Sequence, residues 1–388
     1  MLELPPLSLY IHVPWCVRKC PYCDFNSHEA SGNIPEEEYV QALLADFRSE
    51  LRNTEGRRIQ SVFIGGGTPS LFSPGAYKTL LATIDREGGL ADNAEITLEA
   101  NPGTAEAERF AGYRSAGINR LSLGIQSFSD DNLGKLGRVH NAAQARTAIA
   151  IARDAGYDNL NLDLMYGLSR QTAEGALADL EQACAFEPQH ISWYQLTLEP
   201  NTVFFRRPPP LPDEETLMNI QEQGLERLAS YGYQRYEISA YAQESHRSVH
   251  NLNYWRFGDY IGIGAGAHGK LTSPGGNLVT RQRKVKQPAH YLRVYSKNSH
   301  DSIPTAAPVE KTGIASDQLT VEFMMNVLRT TEGFTVDQFQ ARTGLPFSAI
   351  GNRVECLLDS KLLQTDGRRI FPSAKGHLFL NSLLEEFL

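Results

Sequence analysis

Cysteine is scarce in this sequence, and long hydrophobic runs are absent from it. Five cysteines in 388 residues are too few for the dense disulfide framework of a small secreted protein. No stretch approaches the roughly 18 consecutive apolar residues that a membrane-spanning helix needs. These absences favour a large domain with an apolar core in a reducing compartment, and we expect a cytoplasmic location.

Basic residues are not in excess either. The formal net charge is −8 at pH 7, which disfavours the positively charged surface of a nucleic-acid-binding protein. The first residues, Met-Leu-Glu-Leu-Pro-Pro-Leu, contain neither a basic segment nor an apolar one, so no signal peptide is expected. The sequence therefore predicts neither a nucleic-acid partner nor a secreted protein.

Three of the five cysteines lie together in the segment Cys16–Cys23, with the spacing Cys-x3-Cys-x2-Cys. Thiolates this close on one loop can bind one inorganic core, and thiolate is the usual ligand of iron–sulfur clusters. A [4Fe-4S] cluster held by Cys16, Cys20 and Cys23 would keep one iron open for the amine and carboxylate of a small molecule.

The alternatives to a cluster are a disulfide, a zinc site and free thiols. The first is disfavoured because no secretion signal is found, and the second because no further Cys or His pair follows nearby.

Short β-rich runs alternate with helical patterns from the start of the chain to about residue 240. Such alternation is typical of a parallel sheet, and six units are too few to close an eight-unit barrel. The predicted fold class is therefore α/β, with residues 1–245 forming an open, partial (β/α)6 TIM-like barrel. The predicted strands are Leu7–Val13, Ser61–Ile64, Glu95–Ala100, Arg120–Gly124, Asn159–Met165 and His190–Leu196. The predicted helices are Glu36–Asn53, Pro74–Glu87, Ala105–Ala116, Ala142–Ala155 and Ala173–Phe186, with a further one that starts at Asp213.

The remainder of the chain follows a different pattern. Residues 246–310 are predicted to be a connecting segment, in which His250–Lys270 is interpreted as a structured loop and a helix is predicted near Ala289–Tyr295. Residues 311–388 are predicted to form a small winged-helix-like α+β domain, because helical patterns precede a hairpin with an Asp-Gly turn. In an acidic chain we interpret this domain as a lid or interaction domain rather than a DNA-binding one.

Polar residues and glycines follow the predicted strands, at the ends where the chemistry of barrel-like folds is found. Each of them alone is explained as well by a turn or a helix cap. Together they would form a ring of donors and acceptors above the cysteine loop, which suits a nucleoside with an amino-acid tail. The members of this ring are Gly66, Gly67, Thr68, Glu99, Gln126, Arg138 and Asp163.

The segment Tyr10–Phe25 resembles the cluster motif of the radical S-adenosylmethionine superfamily. More narrowly, it is similar to the branch that holds the oxygen-independent coproporphyrinogen III oxidases and the HemW haem chaperones. The Gly-Gly-Gly-Thr-Pro loop at residues 65–69 follows at the distance expected in that family. The resemblance implies a [4Fe-4S] cluster on the three cysteines and S-adenosylmethionine at its open iron. It implies that S-adenosylmethionine is held by Tyr10, Tyr22, Gly66, Gly67, Thr68, Glu99, Gln126, Arg138 and Asp163.

Two functions compete within that branch: oxidative decarboxylation of coproporphyrinogen III, and a chaperone that binds haem and transfers it to other proteins. In the oxidases a fourth cysteine follows two residues after the third, and a long N-terminal segment precedes the cluster loop. Here Phe25 occupies the position of the fourth cysteine, and Cys16 lies close to the start of the sequence. Both differences resemble the HemW family, so we expect no coproporphyrinogen oxidase activity. A radical enzyme that acts on another substrate and also carries haem stays open.

The run His250–Trp255 matches the His-Asn-x-x-Tyr-Trp motif that the HemW family uses in haem binding. A neutral imidazole is a good axial ligand for haem iron, and Tyr254 and Trp255 offer flat apolar faces to a porphyrin. The residues alone are equally consistent with a hydrogen-bonded His250 and with core packing of the two aromatic side chains. The resemblance favours haem contacts for all three, and His268 is the alternative iron ligand.

The resulting hypothesis is a haem chaperone whose cofactors are a [4Fe-4S] cluster, exchangeable S-adenosylmethionine and haem. Its partners would be haem and haem-accepting proteins, among which respiratory enzymes are candidates. A homodimer and a peripheral contact with a membrane are compatible with the sequence.

Overall fold

The structure, a computed structural model, describes residues 2–30, 32–103, 108–273, 275, 277–295 and 310–388. Strands and helices alternate along most of the chain. The strands are β1 (Leu7–Val13), β2 (Trp15–Cys16), β3 (His28–Glu29), β4 (Ile59–Gly66), β5 (Leu90–Ala100), β6 (Arg120–Gln126), β7 (Leu160–Tyr166), β8 (His190–Gln195), β9 (Gln234–Glu237), β10 (Ala240–Ala242), β11 (Asp259–Ile263), β12 (His268–Ser273), β13 (Leu278–Arg283), β14 (Glu310–Gly313), β15 (Phe334–Thr335), β16 (Leu363–Thr365) and β17 (Arg369–Pro372).

The helices are α1 (Glu36–Leu51), α2 (Pro74–Gly88), α3 (Phe110–Ser115), α4 (Asp130–Lys135), α5 (Ala142–Asp154), α6 (Ala173–Ala185), α7 (Val203–Arg206), α8 (Glu214–Ser230), α9 (Val249–Trp255), α10 (Pro288–Tyr295), α11 (Ser316–Val327), α12 (Val336–Thr343), α13 (Gly351–Asp359), α14 (Ala374–Leu378) and α15 (Leu380–Glu385). Short 3₁₀ helices cover Pro69–Leu71 and Phe347–Ala349. Within the described residues, no helix combines the length and the apolar character needed to cross a membrane.

One large sheet has the strand order β14-β13-β12-β11-β1-β4-β5-β6-β7-β8-β10-β9. Its central strands, from β11 to β8 in this order, run parallel, and antiparallel strands extend both ends. The outermost strands β14 and β9 do not pair with each other, so the barrel is open. The α/β partial barrel with its six predicted strands is confirmed, and β11 adds a further parallel strand.

Strand β1 brings the cysteine loop to its place. Its apolar residues Leu9, Ile11 and Val13 are fully buried because both faces of the sheet are covered, as is usual for parallel strands. The pairing with β4 places Val13 opposite Gly66, so the cysteine loop and the glycine loop leave the sheet side by side. The two loops therefore meet at the carboxyl ends of the parallel strands, where barrel-like folds carry their sites.

The predicted helix start at Asp213 is confirmed. The Asp213 carboxylate accepts a hydrogen bond from Thr216 N at 2.8 Å and caps α8. The predicted helix near Ala289–Tyr295 is α10. Of the predicted helix Ala105–Ala116, residues 105–107 lie outside the described residues, and α3 covers a shorter stretch than predicted.

The interpretation of His250–Lys270 as a loop was wrong. The segment contains most of α9 together with β11, and β12 begins within it; β11 pairs with β1 inside the large sheet. The glycines that suggested a loop allow close strand contact instead, since a Cβ on Gly262 would lie 1.9 Å from the carbonyl oxygen of His268. The buried carboxylate of Asp259 binds Lys270 Nζ at 2.8 Å and fixes the start of β11.

The predicted connecting segment 246–310 thus contributes strands to the sheet, while its residues 296–309 lie outside the described residues. The domain boundaries at residues 245 and 310 stay a prediction.

The last part of the chain has an apolar core of its own. Phe323 packs edge-on against Phe334 and Phe339, with ring centres 5.6 and 5.4 Å apart. Helices surround the small sheet β15-β17-β16, which is the predicted hairpin extended by one strand. Phe257, which follows α9, lies 5.7 Å from Phe323 and joins this core to the barrel.

Candidate functional site

The cysteine loop turns back on itself within a few residues. Cys23 N donates to the carbonyl oxygen of Cys20 at 3.1 Å, and Ala30 N donates to that of Cys16 at 2.9 Å. Cys16 is buried, and Cys20 and Cys23 are half-buried. All three line one cavity of about 520 Å³, which we name the cluster cavity. The predicted cluster ligands therefore share one enclosed space.

The arrangement of the thiols fits a cluster better than a single metal ion. In the described part of the chain, no three His, Cys, Asp or Glu side chains are placed to hold one ion. A cluster offers a separate iron to each thiolate, whereas zinc needs all its ligands at one point. Burial raises the pKa of the Cys16 and Cys23 thiols, and coordination to a metal overcomes this effect by deprotonating the thiol outright.

The glycine loop after β4 packs against the segment that carries the cysteines. A Cβ on Gly66, whose φ is +116°, would lie 2.6 Å from the His12 ring. A Cβ on Gly67 would lie 2.5 Å from the carbonyl oxygen of Trp15. Neither position accepts a side chain, so the loop must be glycine for the two segments to touch.

The amides of this loop are used inside the protein. Gly66 N donates to Glu99 Oε2 at 3.1 Å. Gly67 N donates to the carbonyl oxygen of Val13, the last residue of β1, and Thr68 N donates to that of Trp15, both at 2.7 Å. These amides are therefore not free for a ligand, and a ligand's ammonium would meet the carbonyl oxygens of the loop.

Two carboxyl groups face the cluster cavity from β5 and β7. Asp163 accepts hydrogen bonds from Ser122 Oγ and Asn161 Nδ2, each at 2.8 Å. Burial raises the pKa of Asp163, and these hydrogen bonds oppose the shift. Burial and the charge of Asp163 raise the pKa of Glu99 to about 8, against the stabilising Gly66 amide. A positive charge that enters the cavity would lower this pKa, so Glu99 would then lose its proton.

Gln126 sits at an irregularity where β6 ends. The register between β6 and β7 shifts there, and the residue has a φ of +68°, a left-handed conformation that is uncommon outside glycine. Its side-chain carbonyl accepts a hydrogen bond from Tyr194 Oη at 2.8 Å. The bulge directs Gln126 into the wall of the cluster cavity, and strained backbone of this kind concentrates at functional sites.

Arg138 connects the cysteines to the strand ends. Its Nη2 donates to Asn101 Oδ1 at 2.7 Å and to the carbonyl oxygen of Gly124 at 2.9 Å, and its Nη1 lies 3.7 Å from Cys20 Sγ. Its Nε is buried without a hydrogen-bond partner among the described residues. An incompletely satisfied guanidinium beside a thiol suits both a negatively charged cluster and a ligand carboxylate.

The structure brings together all seven ring residues and one of the two tyrosines, Tyr10 and Tyr22, that the resemblance adds. The cluster cavity is lined by Tyr22, Gly66, Gly67, Thr68, Glu99, Gln126, Arg138 and Asp163, together with the three cysteines. The exception is Tyr10, which lines a different cavity. The donors and acceptors therefore fit a ligand that combines ribose hydroxyls, an ammonium and a carboxylate.

A second cavity of about 580 Å³, which we name the aromatic cavity, adjoins the first. Phe25, Gly66, Glu99 and Trp255 line both. The other aromatic side chains in its wall are Tyr10, Tyr254, Phe257 and Tyr260. Histidines and basic residues also line it: His12, His268, Lys270, Arg281 and Lys286. The predicted haem contacts Tyr254 and Trp255 are therefore at a cavity.

His250 lines neither of these cavities. It is 1% exposed, its Nδ1 is hydrogen-bonded to Ser61 Oγ at 3.0 Å, and its Nε2 to Tyr254 Oη at 2.9 Å. Its ring lies 5.1 Å from that of Phe63, and burial lowers its pKa to about 3. Both nitrogens are therefore occupied, and the axial-ligand role of His250 stays a prediction that requires α9 to move.

The contacts of His250 predict a structural effect. In His250→Ala, Ser61 Oγ and Tyr254 Oη would each lose a buried partner and a cavity would form, which costs about 2–4 kcal/mol of the free energy of unfolding. Urea denaturation measures this loss. The control is the partly exposed His246, whose side chain, within the part of the chain that the structure describes, bonds only a neighbouring carbonyl oxygen at 2.8 Å. Its alanine variant should lose less than about 0.5 kcal/mol. A His250→Ala protein as stable as the wild type would contradict the structural role.

Sequence reasoning assigned no role to two further residues that line the site, Asn101 and Tyr194. Asn101 links Thr68 Oγ1, at 3.2 Å, to Arg138, and Tyr194 holds Gln126. The position of Asn101 directly after strand β5 was the available signal. Tyr194 lies near the carboxyl end of β8, where it lines the cluster cavity.

The protein is an open parallel barrel that carries a cysteine loop, a glycine loop and polar residues at its strand ends. This combination is typical of radical S-adenosylmethionine proteins. Residues 10–183 match the family model of the radical SAM superfamily, and residues 314–379 match that of the HemN C-terminal domain. The chain resembles the structure of coproporphyrinogen III oxidase (HemN) from Escherichia coli, a radical SAM enzyme, with a TM-score of 0.80 over 99% of this chain and 90% of that one. At 21% identity this likeness concerns the fold.

Sequence similarity narrows the family. The chain is 50% identical to the heme chaperone HemW of Haemophilus influenzae, over 100% of this chain and 99% of that protein. It is 48% identical to the heme chaperone HemW of Escherichia coli, over the whole length of both. The chain therefore belongs to the HemW family.

Proposed function

We propose that this protein is a haem chaperone, which binds haem and transfers it to haem-requiring proteins. The observation that carries the proposal is full-length similarity to heme chaperones. It is supported by the aromatic cavity of about 580 Å³ beside the cluster cavity. A volume of this size is within the range of cofactor sites. Haem-accepting proteins in the cytoplasm or at the membrane surface, with respiratory enzymes among them, are the proposed partners.

We propose that Cys16, Cys20 and Cys23 hold a [4Fe-4S] cluster. When bound, such a cluster supplies an electron to the sulfonium of S-adenosylmethionine. The chain's own contribution is the enclosure of the thiols and the positive charge of Arg138 near Cys20 Sγ. That charge stabilises the excess negative charge of three thiolates in a half-buried loop.

We propose that the strand-end residues hold S-adenosylmethionine as an exchangeable ligand. Glu99 and Asp163 would accept hydrogen bonds from the ribose hydroxyls and offset the positive charge of the ligand. Arg138 would pair with its carboxylate, and the carbonyl oxygens of the glycine loop with its ammonium. Tyr10 would support this site indirectly, since its hydroxyl is 2.9 Å from Nδ1 of His12, the residue against which Gly66 packs.

The second candidate function is a coproporphyrinogen III oxidase, which the fold of HemN and the complete ring in the cluster cavity favour. Against it stands Phe25, which occupies the position of the oxidase's fourth cysteine and is 58% exposed between the two cavities.

Anaerobic incubation of the reconstituted protein with coproporphyrinogen III, S-adenosylmethionine and a reductant is expected to yield no protoporphyrinogen. The reason is the loss of the oxidase's cysteine. Chromatography of the oxidised porphyrins measures the product, and an authentic oxidase of the same fold under the same conditions is the control. Repeated turnover by this protein would exclude a purely chaperone function.

A further inference from the structure

We infer that the aromatic cavity is the haem site and that His268 is the iron ligand in it. The inference rests on the proposed function, because it assigns a place and a ligand to the haem that a chaperone would carry. It differs from the assignment by motif, which points to His250.

The hydrogen bonds of the nearby histidines single out His268. His12 also lines the cavity, but its Nε2 donates to the carbonyl oxygen of Asn26 at 2.9 Å, so its Nδ1 accepts from Tyr10 Oη at 2.9 Å. His250 lies behind Tyr254 with both nitrogens occupied. His268 makes no side-chain hydrogen bond within the described residues, and it is exposed at the start of β12. It is thus the histidine of this wall that can offer a nitrogen without breaking a contact.

The protonation state of His268 suits an iron ligand. Partial burial and the positive charges of Arg283, Arg281 and Lys286 lower its pKa. The imidazole is therefore neutral at physiological pH, which is the form that binds iron.

The walls of the cavity suit a flat apolar disc. Phe25 and Trp255 form the part shared with the cluster cavity, and Tyr254 and Tyr260 pack edge-to-face with ring centres 4.4 Å apart. Trp255 is held by Arg329, whose guanidinium lies 4.4 Å from the ring centre. Large aromatic faces fixed in this way provide contact area at low entropic cost, and an exposed ligand at the rim permits release to an acceptor.

The charges of the wall suit the propionate groups of haem. Lys270 is paired with Asp259 at 2.8 Å, and Arg281 with Glu322 at 2.6 Å. Lys286 has no such carboxylate within the described residues, and it is exposed. Its ammonium is therefore available to a propionate. Asp24 and Glu99 are the acidic groups of the same cavity, so the propionates should lie on the side of Lys286.

The test is a haem titration of the anaerobically reconstituted full-length protein, followed by the Soret band. His268→Ala should lower haem affinity by at least about tenfold and shift the band, and added imidazole should restore the spectrum. The same variant should keep its affinity for iron-free protoporphyrin IX, because that probe needs the cavity but no ligand. His290→Ala, on the exposed side of α10, is the control and should behave as the wild type.

Lys286→Glu should weaken the binding of both haem and protoporphyrin IX, and Lys361→Glu on the surface far along the chain is its control. A wild-type protein that binds no haem would contradict the proposed function itself. A wild type that binds haem, with an unchanged spectrum and affinity in His268→Ala, would overturn this inference and leave the function standing. Equal loss of haem and protoporphyrin IX in His268→Ala would overturn the ligand assignment.

Discussion

Replacement of Cys20 by alanine is expected to abolish stable assembly of the iron–sulfur cluster. Three thiols line the cluster cavity, and each would bind one iron, so the loss of one leaves two irons without a protein ligand. Changes in residues that only support metal ligands already cost about 10–100-fold in affinity, and removal of a ligand should cost more. Iron and sulfide content and visible absorption after anaerobic reconstitution measure the effect. Cys16→Ala and Cys23→Ala should behave in the same way.

The matched control is Cys356→Ala. Cys356 is exposed on α13, in the last part of the chain and outside the cluster cavity. Its replacement should leave the iron and sulfide content at the wild-type level. The cluster assignment would be refuted by a Cys20→Ala protein that assembles as much cluster as the control.

The affinity for S-adenosylmethionine is expected to rise with pH up to about 8, and to level off above. The sign follows from Glu99, whose pKa of about 8 keeps its carboxyl group mostly protonated at neutral pH. The ligand carries a sulfonium and an ammonium against one carboxylate, so it favours the ionised form of Glu99 and its binding releases a proton. One released proton corresponds to an increase of up to about tenfold per pH unit.

Calorimetric titrations in buffers of different ionisation enthalpy count the proton and give the affinity. In Glu99→Gln the side chain cannot ionise, so the pH dependence should disappear and the affinity at pH 8 should fall by about tenfold or more. Glu386→Gln, at the C-terminal surface, should retain the wild-type profile. If Glu99→Gln kept the slope, the titrating group would be another one, and Asp163 is the nearest candidate.

The barrel could be predicted from the sequence because its parallel strands are nearly continuous apolar runs. All six predicted strands are present, and the cysteines and strand-end polar residues meet because the carboxyl ends of parallel strands share one edge. The glycine loop was recognised for its composition, but the packing that requires its glycines was not predicted. Gly66 and Gly67 allow contact with His12 and Trp15, and this can be seen only when β1 and β4 are paired.

Long-range contacts account for what the sequence did not reveal. Strand β11 pairs with β1, which lies about 250 residues earlier, so nothing in its local composition distinguishes it from a loop. The motif around His250 singled out Tyr254 and Trp255, which line the aromatic cavity, but it did not reveal the environment of the histidine. Its partner Ser61 lies 189 positions away, on β4. No local pattern predicts a hydrogen bond over that separation.

The most direct test of the proposed function is a haem-transfer experiment with the reconstituted protein. The wild type is loaded with haem, freed of excess by gel filtration, and mixed with apomyoglobin as a spectroscopically distinct acceptor. We expect binding of about one haem per chain, followed by its transfer to the acceptor, since the proposed site is open at its rim. A protein that binds no haem after reconstitution, or that binds it and never releases it to an acceptor, would contradict the account.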